Sequence, residues 1–320
     1  MSKYVIGIDV GGTTTKFGIV DRTGHILAQD RMPTNQHEVA EEFIHDLHAN
    51  LQPMIEKVGG DKNIVGIGMG APNANFYTGN IEYAPNLKWK GIIHMSELME
   101  KKFGLTTKLT NDANAAAVGE MMYGCAKEMR DFITITLGTG VGSGIVINGE
   151  IVLGHDGFAG ELGHTIIRPG GRMHKGTNMR GSLEAYASAT GVRETAIELL
   201  TEHPERESLL RNYTINELTS ESVYDCAMKG DNIANEIFDF TGEILGESLA
   251  NFIMFSSPEA IVLFGGLTKA GPLLLNPTRR SMEANLLPIF QNKVKLLFSE
   301  LKEADAAILG ASALMWKMKT

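Results

Sequence analysis

"IDVGGTTTKFGIV" (residues 8–20) and "ITLGTGVGSGIVI" (residues 135–147) align as an apolar run, a Gly/Thr loop and a second run containing Gly-Ile-Val. Runs rich in β-branched residues that are separated by glycine turns predict paired strands. A further turn and strand follow each copy, at "HILAQDRM" (25–32) and "NGEIV" (148–152). The repeat therefore predicts a duplicated supersecondary unit, with one copy in each of two domains.

The rest of the chain alternates between helical and strand patterns. Apolar residues recur at helical spacing from Val39 to Val58, and a second amphipathic segment covers residues 231–255. Further strands are predicted at 64–72, 106–113, 260–266 and 294–298, and a helix at 304–318. This alternation predicts an α/β fold with helices on mixed sheets and a ligand cleft between two lobes.

The length of 320 residues favours two domains. The predicted division is a small N-terminal lobe, 1–118, and a large C-terminal lobe, 119–303. The terminal helix, 304–320, is a candidate to pack back on the first lobe.

The formal net charge of −9 argues against nucleic acid and anionic membrane surfaces as partners. Cys125 and Cys226 are the only cysteines, which excludes a disulfide framework and favours a reducing compartment. The N-terminal apolar run breaks at glycine before it is long enough for secretion or for crossing a membrane. We therefore expect a cytoplasmic protein.

The Gly/Thr loops are candidate phosphate-binding turns. Glycines let backbone N–H groups converge on an anion, while threonine hydroxyls and a lysine add donors and charge. A single such loop is equally compatible with a plain hairpin, but two loops and a later "FGG" strand end strengthen the nucleotide hypothesis. The candidate ATP-binding residues are Gly11, Gly12, Thr13, Thr14, Lys16, Gly138, Thr139, Gly140, Gly265 and Gly266. Asp9 is a candidate to bind Mg²⁺, through water.

"NDANAAAVGE" (111–120) leaves a strand and enters an alanine-rich helix. A carboxylate at Asp112 is stabilised by the free N–H groups of the first turn, so on its own it is best explained as a cap. At the edge of a cleft, the same carboxylate could accept a proton from an attacking hydroxyl.

Seven motifs in order resemble the ROK family of sugar kinases and repressors. They are DVGGTTTK (9–16), GMGAPN (68–73), APNLKW (84–89), NDANAAAVGE (111–120), LGTGVGSG (137–144), AGELGH (159–164) and GSLEAYAS (181–188). Each motif is weak alone, but the ordered set is specific. The resemblance implies the two-lobed actin-like ATPase (ribonuclease H-like) fold and a glucokinase-like, ATP- and Mg²⁺-dependent phosphotransferase of carbohydrate metabolism.

The resemblance also implies residue roles. Asp112 would be the general base for the sugar hydroxyl, and Gly70 would contact the sugar through its backbone. The implied ligands of the ring hydroxyls are Asn86, Asn111, Asp112, Glu161, His164 and Glu184. The favoured substrate is glucose, phosphorylated at O6, and a homodimer is expected by analogy.

One segment departs from the family pattern. Many relatives bind a structural zinc with the histidine of E-x-G-H and three cysteines of C-x-C-G-x-x-G-C. Counting back from Glu184, this chain has Lys175, Thr177 and Ser182 at the three cysteine positions. None of these is a usual zinc ligand, so no structural zinc is predicted.

His155 and His174 are near this segment in sequence, but neither is at a matching position. We therefore expect a metal-free loop in which His164 serves only the sugar. The basic residues Arg168, Arg172, Lys175 and Arg180 are most simply predicted to form a solvated loop surface, although one of them could reach the nucleotide or a subunit interface.

Other functions remain open at this stage. Within the same class, the motifs do not separate glucose from N-acetylmannosamine, N-acetylglucosamine or fructose. In another class, the family includes sugar-responsive repressors with an N-terminal DNA-binding domain, for which a strand that begins at Tyr4 leaves no room. A third possibility, an actin-like or chaperone ATPase, would hydrolyse ATP without sugar.

Overall fold

Two five-stranded mixed sheets organise the chain, as described by a computed structural model for residues 3–317. The strands are β1 (Tyr4–Val10), β2 (Thr14–Asp21), β3 (Ile26–Pro33), β4 (Ile64–Gly70), β5 (Ala74–Asn75), β6 (Asn80–Glu82), β7 (Ile92–Ile93), β8 (Thr107–Thr110), β9 (Phe132–Leu137), β10 (Val141–Ile147), β11 (Glu150–Ile151), β12 (Ala260–Phe264) and β13 (Lys295–Phe298). The helices are α1 (Ala40–Lys57), α2 (Met95–Phe103), α3 (Asp112–Tyr123), α4 (Glu184–Ala187), α5 (Ala189–Glu202), α6 (Ser220–Met228), α7 (Asn232–Ser256), α8 (Pro272–Ala284) and α9 (Glu303–Lys317). Residues 318–320 of the predicted terminal helix lie outside the described residues.

The two sheets share one strand order. The first is β3-β2-β1-β4-β8 and the second is β11-β10-β9-β12-β13. In the first sheet β1 is antiparallel to β2 and parallel to β4, and in the second β9 is parallel to β12. The predicted α/β class with duplicated mixed sheets is confirmed. A small sheet, β5-β6-β7, was not predicted.

The chain divides into two compact units. Unit 1 comprises residues 1–130, 144–160 and 299–320, and unit 2 comprises 131–143 and 161–298. The predicted domain boundaries at residues 118 and 303 remain a prediction.

The core of unit 1 lies between the first sheet and helices α1 and α2. Phe17, Phe43 and Leu47 are fully buried there. Met95, Met99 and Phe103 repeat every fourth residue along α2 and are also buried, although this helix was not predicted. The helical spacing was present in the sequence, but the helix is too short for its period to be distinctive.

Helix α9 packs on α3 and on strands β1 and β4 of unit 1. The contact is unusually close, because a Cβ atom at Gly7 or Gly68 would overlap the carbonyl oxygen of Ile308 or Ala311, respectively. Ala313 and Leu314 are fully buried on this helix. This helix therefore covers the glycine-bearing strands β1 and β4, of which β1 leads to the first Gly/Thr loop.

Helix α7 is the central helix of unit 2 and contacts α4, α5, α6 and α8. Its Ile233, Ile237, Ile244 and Leu249 are fully buried, as their helical spacing predicts.

Candidate functional site

The first Gly/Thr loop is the tight connection between β1 and β2. The N–H of Gly11 donates to the carbonyl of Thr14 (3.1 Å). The hydroxyl groups of Thr15 and Thr34 form a hydrogen bond (2.7 Å). A Cβ atom at Gly12 would lie 2.7 Å from the carbonyl oxygen of Asn86. Glycine is therefore required here by close approach between two backbone segments.

Three predicted site residues meet at the carboxyl ends of parallel strands in unit 1. Asp9 on β1 pairs in register with Gly70 on β4, and Gly70 pairs with Thr110, the last residue of β8. Asp112 follows β8 after one residue, so α3 begins beside Gly70: a Cβ atom there would lie 3.6 Å from the Asp112 Cα and 3.9 Å from Asp9 Oδ1. The fold thus brings Asp9, Gly70 and Asp112 together.

Asp112 is the first residue of α3 but does not cap it. The cap is Asn111, whose side-chain oxygen accepts the N–H of Asn114 (2.7 Å). The Asp112 carboxylate accepts the adjacent N–H of Ala113 (2.8 Å). Asp112 is an exposed residue, but the protein atoms around its carboxyl group desolvate the charge and so raise the pKa of Asp112 above its ordinary value. The capping role that the sequence suggested for Asp112 is therefore filled by Asn111.

Asp9 shares this environment. Burial and the nearby Asp112 raise the pKa of Asp9 to about 6, and Lys16 opposes the rise. Two carboxyl groups close together cannot both ionise without cost. A cation at this place would relieve that cost, so the donor set fits water-mediated Mg²⁺ at Asp9.

Asn86 lies in an exposed loop that approaches the first Gly/Thr loop. The loop is anchored by Trp89, which is buried against Phe43 with ring centroids 4.7 Å apart and whose indole N–H donates to the carbonyl of His37 (3.2 Å). The Asn86 side chain itself is exposed. The backbone of this loop is thus held in place, while the amide can reach a ligand.

The second Gly/Thr loop and the 265–266 turn lie side by side in unit 2. Strands β9 and β12 pair up to Thr136 and Phe264, and a Cβ atom at Gly265 would lie 2.6 Å from the Leu137 carbonyl oxygen. Gly265 has a φ of 106°, which other residues rarely adopt. The Thr139 carbonyl accepts the Thr190 hydroxyl (2.9 Å) at the start of α5. The predicted nucleotide residues of unit 2 are therefore neighbours.

Glu161 and His164 form one turn, with His164 Nε2 3.7 Å from Glu161 Oε2. The N–H of Leu162 donates to Ser143 Oγ (3.1 Å), which ties this turn to β10. His164 Nδ1 is buried and has no hydrogen-bond partner within residues 3–317. The turn thus presents a carboxylate and an imidazole next to each other.

Glu184 begins helix α4 and is buried beside the second Gly/Thr loop. Its Oε2 accepts the N–H of Val141 (2.8 Å), and a Cβ atom at Gly140 would overlap this same oxygen. The N–H of Leu183 donates to the carbonyl oxygen of Thr165 (3.0 Å). Because these residues adjoin Glu184 and His164, the two side chains lie at the same end of a hairpin. His174 Nε2 lies 3.2 Å from Glu184 Oε1, a contact that sequence reasoning missed.

The segment between His164 and Glu184 is held by polar contacts. Arg172 was predicted on a solvated surface, which is wrong: only 9% of its side chain is exposed. Its guanidinium pairs with Glu198, donates to the carbonyls of Ala185 and Gly191 (2.8 and 3.1 Å) and stacks over Tyr186. Packing of the apolar part of the Arg172 side chain and hydrogen bonds to several acceptors compensate the guanidinium for the water that it loses on burial.

The other basic residues of this segment are paired at its surface. Arg168 contacts Glu247 (2.6 Å), Lys175 contacts Glu194 (3.6 Å), and Arg180 donates to the carbonyl of Gly171 (3.3 Å). At the three positions of the family's cysteines, Lys175, Thr177 and Ser182 do not fit zinc. The part of the chain that the structure describes contains no group of three or more His, Cys, Asp or Glu residues suited to a metal ion.

Helices long and apolar enough to cross a bilayer are absent from the described part of the chain.

Comparisons with known proteins place these features in a family. A model of the ROK family matches residues 5–318. The glucokinase of Halalkalibacterium halodurans is 35% identical over 315 residues, which cover 98% of this chain and 95% of that protein. The xylose repressor of Bacillus spizizenii is 29% identical over 318 residues, covering 98% of this chain and 77% of that protein.

A solved structure shares the fold. The ROK family glucokinase from Streptomyces griseus, in complex with glucose and AMPPNP, superimposes with a TM-score of 0.79 at 30% identity, and the match covers 97% of this chain and 98% of that one.

Proposed function

The chain belongs to the ROK family, and from this premise we propose that it is an ATP-dependent hexose kinase that phosphorylates glucose at O6. The similar glucokinase from H. halodurans and the Streptomyces structure with glucose and AMPPNP support this choice. The similar repressor shows that membership alone does not decide between enzyme and regulator. The site residues must therefore support the chemistry.

The observation that carries the proposal is the Asp112 carboxyl group, which does not cap its helix and has a raised pKa beside Asp9 and Gly70. A raised pKa makes a carboxylate a stronger base and brings it nearer the operating pH. In the proposed reaction Asp112 accepts the proton of the 6-hydroxyl, and the O6 atom of the sugar forms a bond to the γ-phosphorus of ATP. The bond from that phosphorus to the β,γ-bridging oxygen breaks, and ADP leaves.

Phosphoryl transfer depends mainly on positioning and on neutralising charge. We assign the phosphates to the backbone N–H groups of the two Gly/Thr loops, with Lys16 and the Gly265-Gly266 turn. When bound, Mg²⁺ neutralises phosphate charge, and Asp9 would hold it through water. The raised pKa of Asp9 supports a cation there, because the charged carboxylate is otherwise disfavoured.

Hydroxyl recognition needs several paired donors and acceptors at modest charge. We propose that Asn86 and Asn111 donate through their amides, that Glu161 and Glu184 accept, and that His164 does either. The amide nitrogen of Asn111 serves this role because its oxygen is used in capping. The exposed Asn86 and the partly exposed His164 side chain, which lies beside Glu161, are consistent with polar ligands.

A coupled assay of ADP release across several sugars tests the proposal. We expect glucose to give the highest kcat/KM among glucose, mannose, fructose, N-acetylglucosamine and N-acetylmannosamine. Preference for an N-acetylhexosamine or fructose would replace glucose as the proposed substrate but would keep the assignment as a sugar kinase. No sugar-stimulated ADP release from any of them would overturn the kinase assignment, and equal hydrolysis without sugar would favour a plain ATPase.

Two further properties are proposed: a homodimer, from the family resemblance, and a cytoplasmic location, from the low cysteine content. Light scattering of the purified protein checks the first, and cell fractionation checks the second.

A further inference from the structure

A two-stranded hairpin reaches from the Glu161–His164 turn to Glu184. Its pairing is set by the bridges Ile166–Ser182 and Met173–Arg180, and its tip closes through bonds from the N–H of His174 to Met179 (2.8 Å) and of Asn178 to His174 (2.8 Å). Asn178 adopts a φ of 57°, in the left-handed region. The base is held by the Arg172 N–H, which donates to the Tyr186 hydroxyl (2.7 Å). The tip residue His174 is thereby carried to the Glu184 carboxylate.

A chain of polar contacts runs through the hairpin tip. The N–H of Met179 donates to Thr177 Oγ1 (3.3 Å), Thr177 Oγ1 lies 3.0 Å from His174 Nδ1, and His174 Nε2 lies 3.2 Å from Glu184 Oε1. A carboxylate has no hydrogen to donate, so this contact is favourable when Nε2 carries the proton. With the proton on Nε2, Nδ1 can accept the Thr177 hydroxyl. The order of donors and acceptors is therefore consistent along the whole chain.

Both oxygens of Glu184 are engaged from the protein side. Val141 N–H reaches Oε2 (2.8 Å) and His174 reaches Oε1, while the side chain is only 12% exposed. Each carboxylate oxygen has two lone pairs, so each can still accept one ligand hydroxyl. Two donors at opposite oxygens leave the carboxyl plane little freedom to rotate. The arrangement holds the Glu184 carboxylate in one orientation before the hexose binds.

We propose that His174 is a positioning residue that orients Glu184 for the hexose, and that Thr177 in turn orients His174. This inference rests on the proposed function, since it takes Glu184 as a sugar ligand. Thr177 stands where the resemblance places a zinc-binding cysteine, and His174 directly precedes another such position. Polar contacts of side chains thus hold this carboxylate in a segment whose three cysteine positions carry no usual zinc ligand.

The test compares four variants by calorimetric hexose binding, steady-state kinetics and thermal melting. His174→Leu removes the imidazole contact to Glu184, and we expect hexose Kd and KM to rise roughly 10-fold to 100-fold, because polar contacts to a charged group are stronger than those between neutral groups. ATP KM and the melting temperature should change little. His174→Gln restores an N–H donor near Nε2 and should recover most of the affinity. His203→Leu, at an exposed histidine paired with Glu205 (3.6 Å), is the matched control and should bind as the wild type does.

Thr177→Val is the fourth variant and tests the order of the chain. Alone it should weaken hexose binding several-fold, less than His174→Leu, and in the His174→Leu background it should add almost nothing. A merely structural contribution of the two residues would add independently and lower the melting temperature. If His174→Leu does not fold, His174→Gln and Thr177→Val still decide the point, because an unchanged hexose Kd in Thr177→Val would contradict the inference.

The outcomes separate this inference from the proposed function. A wild-type protein that binds no hexose overturns the proposed function. A wild type that binds hexose while His174→Leu binds it equally well overturns the role of His174 alone.

Discussion

The Gly/Thr loops at residues 11–13 and 138–140 come from one sequence pattern, but they contact different kinds of atom. In unit 1, Gly12 approaches the backbone carbonyl of Asn86, whose side chain is exposed. In unit 2, Gly140 approaches the buried carboxylate of Glu184, which also accepts the N–H of Val141. The first loop therefore supports the backbone of a predicted sugar-binding loop, whereas the second supports a predicted sugar-binding side chain.

The carboxylates beside the two loops differ in the same way. In unit 1, burial and mutual repulsion raise the pKa of Asp9 to about 6, and burial raises the pKa of Asp112. In unit 2, each oxygen of Glu184 faces an N–H donor or an imidazole. Unit 1 thus holds carboxyl groups suited to accept a proton or a cation, while unit 2 holds one suited to accept hydroxyl donors.

Asp112→Asn gives the largest expected effect, because it removes the proton acceptor from unit 1. A positioned base typically contributes ~10²–10⁴-fold, and we expect kcat to fall by that factor with hexose Kd largely kept. ADP release and calorimetry measure the two quantities, with Asp239→Asn on the exposed face of α7 as the control. Near-native turnover would remove Asp112 from the role.

Gly140→Ala should act on sugar binding in unit 2. The new methyl group would overlap Glu184 Oε2, and the carboxylate must move because it is the flexible partner. We expect hexose Kd, measured without nucleotide, to rise about 10-fold or more through loss of hydrogen bonds to a charged group. Gly138→Ala in the same loop meets no atom within 4 Å and should leave that Kd unchanged. Equal hexose Kd values for the two variants would contradict the idea that the second loop supports the Glu184 side chain.

Gly12→Ala should act on stability in unit 1. The new Cβ atom would lie 2.7 Å from a backbone oxygen, so the chain itself must shift. Such overpacking typically costs about 1–3 kcal/mol. Thermal melting should therefore show a larger loss for Gly12→Ala than for Gly140→Ala, and the reverse order would contradict the distinction between backbone and side-chain support.

Asp9→Asn should show a pH-dependent gain in stability. A carboxyl group whose folded pKa is raised to about 6 from 3.8 stabilises the fold while protonated and loses that contribution as the pH rises through this window. We expect the variant to melt a few degrees above the wild type at pH 8, and the difference to shrink as the pH falls from 6 towards 3.8. A melting difference that does not depend on pH would show that Asp9 ionises freely.

The smallest expected effect concerns metal in unit 2. Elemental analysis of untagged protein should give well below one zinc per chain, and a zinc chelator should leave the melting temperature unchanged. About one zinc per chain would show that the hairpin tip binds metal despite Lys175, Thr177 and Ser182.

The repeated strand–loop–strand pattern was enough to predict both sheets, because apolar alternation and glycine turns are local signals. Helix α8 was not predicted, and its Pro277 explains why: an internal proline normally argues against a helix. Here that residue is buried and packs beside Gly242 of α7, so tertiary packing outweighs the local preference.

At the site, the sequence placed Asp112 at a helix start but could not say that Asn111 would take the capping bond. The contact between His174 and Glu184 was beyond sequence reasoning, since it depends on the hairpin register and on the left-handed conformation of Asn178. Arg172 was misjudged because its acceptors come mainly from backbone carbonyls, which no side-chain pattern reveals.

The close packing of α9 on Gly7 and Gly68 has a consequence during protein synthesis. The ribosome produces β1 and β4 early, but the helix that covers their glycines comes only after all of unit 2. Unit 1 therefore cannot finish folding in the order of translation, although domains usually fold as units from the N-terminus. A chain truncated before α9 would contain every residue of unit 2 but would leave one face of the unit 1 sheet without its covering helix.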